Sequence, residues 1–415
     1  MNAAVATIED DITEFRPPPL RAKPTRRIRD DAEALAVAEE VSAKLAEGAA
    51  ARDRDRILPY EEMDLLSDAG LLAITVPKAY GGASVHAGTV ARVIAALSRA
   101  DGSIGQIPQN HFFMVEGLRL EGTEDQKRFF YGRVLAGERL GNALSEVGTK
   151  TAHDHATRLS RDGSIYRLNG RKFYSTGVLF AHWVAVVAND ENNVSTIAFV
   201  PRDTKGITIV DDWSGFGQRT TGSGTTLLDN VEVHPFVILS FAALFERPTS
   251  MGPFAQIMHA AVEQGIAEAA LADTVQFVRH SARPAKDAGV DRASDDPYTV
   301  AIAGELKIRV DSSSALLDRA GEFVDRAQAE PSVETVAAAS VAVAEAKIAS
   351  TEAALLAASK LIELAGSSAT LTKHGLDRHW RNARTHTVHD PVRWKYRAVG
   401  DYWLNGVNPP RHGAI

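Results

Sequence analysis

The sequence predicts an α+β protein in which a small β domain separates an N-terminal helical domain from a C-terminal bundle of long helices. Three observations carry that expectation. Residues 31–137 repeat apolar side chains at three- and four-residue spacing, and residues 138–240 switch to short β-prone runs with turn signals. From residue 241 to 415 helical spacing returns, in stretches of roughly 30 residues whose small side chains suit a closely packed bundle. With 415 residues, 45% of them hydrophobic, the chain can bury more than one core.

Residues 1–30 read as a flexible arm. "MNAAVATIEDDITEF" is acidic and lacks the basic and apolar regions of a secretion signal, so a cytoplasmic protein is expected. The basic cluster "RAKPTRRIR" (Arg21–Arg29) lies among prolines and is expected to be solvated. "DAEALAVAEEVSAKLAEGAAARD" then reads as one amphipathic helix, "PYEEMDLLSDAGLLAI" as a second ending near Gly70, and "AGTVARVIAALSRAD" as a third beyond Gly81 and Gly82. In "RLSRDGSIYRLNGRKFYST" two turn signals, Asp162-Gly163 and Asn169-Gly170, predict hairpins. "HWVAVVAND", "VSTIAFVPRD" and "TTLLDNVEVHP" continue the strands, giving a compact, barrel-like domain of antiparallel pairs. Three long helical stretches follow, starting near Phe254, Tyr298 and Ser332, with no fixed period of the kind a solenoid requires.

Composition removes several function classes. A net charge of −7 without a basic face argues against nucleic acid. No apolar run approaches the roughly 18 residues of a membrane span. The absence of cysteine excludes disulfides, thiolate metal sites and a cysteine nucleophile.

Four stretches could carry chemistry. "GFGQRTTGSG" (Gly215–Gly224) is glycine-rich, yet it is followed by a strand-like segment and has no Gly-Lys-Ser/Thr, so it reads as a polar loop. "GNALSE" (Gly141–Glu146) and "YSTG" (Tyr174–Gly177) set hydroxyls beside small residues, where a planar ligand could meet hydrogen-bond donors. "RTHTVHDP" places His386 and His389 three apart. Asp390-Pro391 resembles an N-cap followed by proline at the first position of a helix, "VRWKYRAVGDYWL", so both histidines fall in the lead-in turn or the end of the preceding segment. No third metal ligand is evident nearby, so no metal is expected. A structural loop and a proton-handling pair both stay open, imidazole titrating near neutrality.

Together these pieces resemble the acyl-CoA dehydrogenase superfamily from about Asp31 to the C-terminus. "LLAITVPKAYGGASV", "ALSE", "NGRKFYSTG" and "GQRTTGSGTTLLDNVEV" resemble that family's "GL…VPxxYGG", "ALTEP", "NGxKxWITN" and "GxRxSxTxxLxFxxVxV". The resemblance implies an N-terminal helical domain, a middle β domain and a C-terminal four-helix bundle with flavin between them. One departure matters. The family's base is a glutamate in a "YEGT" context, and this chain has "HTVHDP" there, while "MGPFAQIMHA" offers no glutamate at the alternative position. "HWRNARTHTVHDP" instead resembles the family's flavin-dependent monooxygenase branch, dibenzothiophene monooxygenase-like and sulfur-acquisition oxidoreductases, as do "DDWSGFGQRTTGSG" and "DDPYTV".

That branch implies a two-component enzyme. A separate flavin reductase supplies reduced FMN, preferred here over FAD, and a C4a-hydroperoxyflavin formed with dioxygen oxygenates a small organosulfur substrate. Carried over by position, His386, His389, Thr176, His111 and Asn142 are the implied catalytic set. Asn142, Ser145, Tyr174, Ser175, Thr176, Arg283, Ser367, Ser368, His386 and His389 would contact the cofactor. His111, Trp213 and His259 would line the substrate pocket. The family also implies a homotetramer. An FAD-dependent acyl-CoA dehydrogenase and a non-catalytic flavin-binding assembly protein remain the alternatives.

Overall fold

The computed structural model describes residues 15–415 except 24, 152 and 153. The N-terminal region holds α1 (Asp31–Ala46), α2 (Ala49–Asp55), α3 (Tyr60–Asp68), α4 (Ala87–Ala100), α5 (Pro108–Glu121) and α6 (Glu124–Leu135). Asp30 caps α1 by accepting from the Glu33 amide, and a Thr123/Gln126 capping box starts α6. The single helix expected over residues 31–53 is two helices. Gly48 adopts φ +75 and breaks the run between α1 and α2, which no L side chain would do cheaply.

Residues 1–14 and 24 of the expected arm lie outside the described residues, and the rest is mostly exposed but fixed at a few points. Phe15 stacks among Phe129, His234 and Phe236, Ile28 is buried, and Arg21 pairs with Asp68 while its amide donates to Glu138. Of the basic cluster, Arg21 and Lys23 pair with distant Asp68, while Arg26 and Arg29 pair with nearby Glu33 and stay exposed.

The β domain is one sheet in the order β6-β7-β3-β2-β4-β5-β8. Its strands are β1 (Leu140–Ala143), β2 (Arg158–Asp162), β3 (Ile165–Lys172), β4 (Trp183–Asn189), β5 (Ser195–Pro201), β6 (Ile207–Val210), β7 (Thr225–Val233) and β8 (Ile238–Ser240). Asp162-Gly163 turns β2 into β3 as expected. Asn169-Gly170 does not turn. It lies inside β3 at a register shift against β7, where a Cβ on Gly170 would come 2.3 Å from Thr157 Oγ1. Pairing is also not purely antiparallel: β1 enters from the helical region and runs parallel to β4, as does β2 at one residue pair. Phe130 joins the helices to the sheet, its ring 5.3 Å from Trp183 and 4.8 Å from Phe199.

A one-turn helix, α7 (Ala243–Glu246), leads into α8 (Met251–His280), α9 (Pro297–Ala329) and α10 (Val333–Ala365). Two shorter helices, α11 (Asp377–His386) and α12 (Val392–Asn405), lie against α10. Small residues set the close approaches. A Cβ on Gly265 of α8 would fall 2.2 Å from the Ala95 carbonyl of α4, and one on Gly321 of α9 would fall 2.6 Å from Gly88 Cα. Successive reversals leave α8 and α10 parallel, so Phe277 and Ala365, near their C-terminal ends, share one cluster. Asp390 does not cap α12, which starts from Pro391 without a side-chain cap, because the Asp390 carboxylate is engaged elsewhere.

Candidate active site

The β domain contributes a hydroxyl cluster. Residues 174–177 leave β3 with Tyr174 at φ +56, an unusual conformation for a non-glycine residue. Thr176 Oγ1 lies 2.7 Å from Ser223 Oγ, which lies 2.7 Å from Thr221 Oγ1. Buried Ser175 accepts from Thr226 Oγ1 at 2.9 Å, which takes its hydroxyl into the sheet. The Asn142 amide N–H at the end of β1 donates to the Thr176 carbonyl at 3.2 Å. The Asn142 side-chain carbonyl accepts from Leu144 N–H, and its NH₂ has no partner among the described residues. Trp213 donates to the Gln218 carbonyl at 2.9 Å and meets Tyr174 edge-on at 6.2 Å. In "ALSE", the Ser145 carbonyl accepts from Phe173, and Glu146 gathers Lys172, Thr157 and the Ala156 amide. Burial pushes the Glu146 carboxyl up, but these donors hold it down to about 2.

The glycine-rich loop fastens this cluster to α11. A Cβ on Gly217 would meet the Arg381 carbonyl at 1.9 Å, so only glycine lets the loop seat there. The Gln218 amide donates to Asn382 Oδ1 at 2.6 Å, Arg381 donates to the Phe216 carbonyl at 3.1 Å, and Phe216 stacks on Trp380. Four residues on from Asn382, α11 ends at His386.

His386 is buried and joined to two residues of α8. Its Nδ1 is 2.9 Å from Glu263 Oε1 and its Nε2 is 3.2 Å from His259 Nδ1. Glu263 is fully buried with Lys347 of α10 and also accepts from Thr351 at 2.6 Å and Ser350 at 3.3 Å. Burial raises the Glu263 carboxyl, yet Lys347 and His386 lower it to about 2. Burial also pushes His386 down, although Glu263 opposes this, and it drives His259 well below the ordinary histidine range, with His389 and His386 adding to the effect. His389 is half exposed. Its ring lies over that of His259, centroids 4.2 Å apart, and its Nδ1 is 3.1 Å from Asp390 Oδ2. Asp390 also accepts from Gln256 at 2.9 Å, and Lys395 donates to Gln256 Oε1 at 2.8 Å and to the Ala414 carbonyl at 3.0 Å. Burial against Asp390's opposing charge leaves Lys395 lowered to about 8.

His259, His389 and Asp390 each bring one ligand atom within 4.8 Å of the other two, a donor set that could hold a divalent cation. The sequence around His389 shows no third ligand because α8 supplies it. Asp390 Oδ2 already accepts from Gln256 and lies 3.1 Å from His389 Nδ1.

The structure does not bring every expected residue here. His111 is buried with both ring nitrogens on backbone: Nδ1 accepts from Leu140 N–H at 3.1 Å, so Nε2–H donates to the Leu72 carbonyl at 2.7 Å. Burial lowers it to about 4, and no nitrogen is left to handle a proton, so its place in the catalytic set is corrected to a brace for β1. Its neighbours are different. Gln106 Oε1 and Asn110 Nδ2 are buried without partners among the described residues. Gly117 lies beside Met251 and Gly102 beside Ile266, so this stretch runs antiparallel to α8. Arg283, Ser367 and Ser368 are exposed at the far end of the bundle, about 25 Å from Glu263 along α8. They do not join this chain's histidine cluster.

Comparison with known proteins follows the same order of helical, β and helical regions. The N-terminal, middle and C-terminal acyl-CoA dehydrogenase domains match residues 29–138, 143–231 and 257–394. The dibenzothiophene monooxygenase of Rhodococcus qingshengii is 32% identical over 91% of this chain and 95% of its own. A protein of Pseudomonas putida named "Probable FMNH2-dependent monooxygenase SfnC" is 30% identical over 91% and 96%. FMN-bound TdsC from Paenibacillus sp. A11-2 superposes with a TM-score of 0.88 at 30% identity, covering 92% of this chain and all of that one. The chain therefore belongs to the acyl-CoA dehydrogenase family. Within it, its place is the flavin-dependent monooxygenase branch that holds the dibenzothiophene monooxygenases.

Proposed function

We propose that this monooxygenase takes reduced FMN from a separate flavin reductase and uses dioxygen to oxygenate a small organosulfur compound in the cytoplasm. The observation that carries the reading is a replacement. Where a dehydrogenase needs a carboxylate base, His386 and His389 stand, tied through His259 to α8. Glu263 is no substitute base, since it already receives four donors and is held near 2.

The residues present fit a flavin ring. Thr176 and the free Asn142 NH₂ offer hydrogen bonds, while Tyr174 and Trp213 offer apolar area beside them. Reduced FMN supplies two electrons, so that one atom of dioxygen enters the substrate and the other leaves as water. The chain's part is positioning and proton handling. Thr176, backed by Ser223, holds one edge of the ring. His389, half exposed and anchored by Asp390, delivers a proton at the reacting oxygen, and Gln106 and Asn110 orient the substrate's polar end. His111 leaves the proton-handling set.

Assembly follows from surfaces that one copy leaves bare. On α12, Trp394, Tyr396, Trp403 and Leu404 are exposed and only Lys395 is buried. A homotetramer would cover them and would let Arg283, Ser367 and Ser368 reach the phosphate of a neighbour's FMN.

The test supplies the enzyme with a flavin reductase, NADH, FMN, ¹⁸O₂ and a panel of sulfides, sulfones and sulfinates. One ¹⁸O atom in the product supports the reading. Bleaching of bound flavin by an acyl-CoA without oxygen uptake would return the protein to the dehydrogenases.

A further inference from the structure

The buried carboxylate of α8 has no role in the reading above, although it is fully enclosed and saturated with donors. Its surroundings fix the direction of every hydrogen bond that follows. Lys347, Thr351 and Ser350 all donate to Glu263, so it stands as a carboxylate and can only accept. His386 Nδ1 must then carry the hydrogen that reaches Glu263 Oε1. A neutral His386 has its lone pair on Nε2, and the one group there is His259 Nδ1, which must donate. His259 in turn is left with a lone pair on Nε2, on the ring that lies against His389.

We propose that Glu263 is the positioning residue of this site: through His386 it fixes His259 as the Nδ1–H tautomer, so that His259 presents an acceptor rather than a donor beside His389. The proposal rests on the oxygenase reading for its consequence and on the geometry alone for the tautomers. With its hydrogen turned toward His386, His259 offers no donor to the nearby Asp390 carboxylate, which is left to hold His389 Nδ1 at 3.1 Å. Glu263 touches neither substrate nor cofactor and acts two hydrogen bonds away from the last ring it orders. Nothing around His386 in the sequence shows this, because the carboxylate is 123 residues upstream.

The experiment uses the full chain labelled with ¹⁵N-histidine, whose imidazole nitrogens report the tautomer directly in the flavin-free protein. Free imidazoles favour Nε2–H, so Nδ1–H resonances assigned to His386 and His259 are a distinctive signature. Glu263→Leu with Lys347→Leu removes the ion pair without leaving a buried charge, a replacement that is often neutral for stability. In that variant both signatures should be lost, and product formed per oxygen consumed should fall about tenfold with little change in KM. Glu263→Gln keeps an acceptor at the same place and should restore the tautomers and most of the coupling. A double variant that folds and keeps both Nδ1–H signatures would overturn the proposal, as would wild-type protein showing His259 as Nε2–H. If the tautomers behave as stated but no organosulfur compound is oxygenated, the positioning stands and the oxygenase reading fails.

Discussion

His386 and His389 lie three residues apart, yet their surroundings differ. One is sealed between Glu263 and His259, while the other is half exposed and anchored by Asp390. The motif made both legible as a pair, but neither burial nor partners can be read from eight residues. Glu263 and Lys347 carry a faint sequence signal: each is one of two charges in an alanine-rich stretch, "HAAVEQGIAEAAL" and "VAVAEAKIAS". His111 enters the expected site through the resemblance alone, and its ring braces β1. That role has a pH consequence. His111 and His182 are both depressed from 6.5 to about 4 by burial, so the folded protein refuses protons that the unfolded chain accepts. Their contribution to stability is complete above about 6.5 and is lost as pH falls toward 4. Melting temperature should therefore decline between pH 6.5 and 4.5. His111→Gln, which can both accept from Leu140 and donate to Leu72, should flatten that decline, and an unchanged slope would contradict the assignment.

Among elements, the loop between β6 and β7 connects the two halves of the site. The sequence read it as polar punctuation, and its glycines in fact serve close approach: Gly217 lets the backbone lie against α11, and Gly224 fits beside Val210 and Asp212. A fixed loop holds Thr176, through Ser223, in one geometry relative to His386. Gly217→Ala should push α11 away by roughly the overlap it creates. A displacement near 1 Å at a reacting centre typically costs about 10²-fold in rate, so activity should fall by that order while the melting temperature changes little. Normal activity in Gly217→Ala would mean that the loop is not the link. The misread elements have a common cause. Asn169-Gly170 looked like a hairpin and Asp390-Pro391 looked like a cap because local chemistry allowed both, and tertiary partners decided otherwise: Thr157 packs at Gly170, and Gln256 with His389 takes the Asp390 carboxylate.

For the whole molecule, the order of helical, β and helical regions was legible because hydrophobic period changes at each junction, and the bundle was legible because its helices are long and rich in small residues. Distances between chain ends were not. Arg283, Ser367 and Ser368 sit together at one end of the bundle because α8 and α10 run parallel, and that end is far from His386. The proposed homotetramer would give these residues a task, and on that proposal Leu404→Asp on the exposed face of α12 should split the assembly in light scattering and weaken FMN binding with it. Dissociation that leaves FMN binding intact would mean each chain holds its cofactor alone. The proton donor is central to coupled turnover. Product formed and hydrogen peroxide released per oxygen consumed, measured for wild type and His389→Phe with saturating reduced FMN, tests it most directly. A positioned proton donor typically contributes about 10²–10⁴-fold to the step it assists, so the variant should keep consuming oxygen while product collapses and peroxide replaces it, with Thr176→Val shifting the same partition less. A His389→Phe enzyme that still turns nearly every oxygen into product would make the histidine cluster structural and the mechanism wrong.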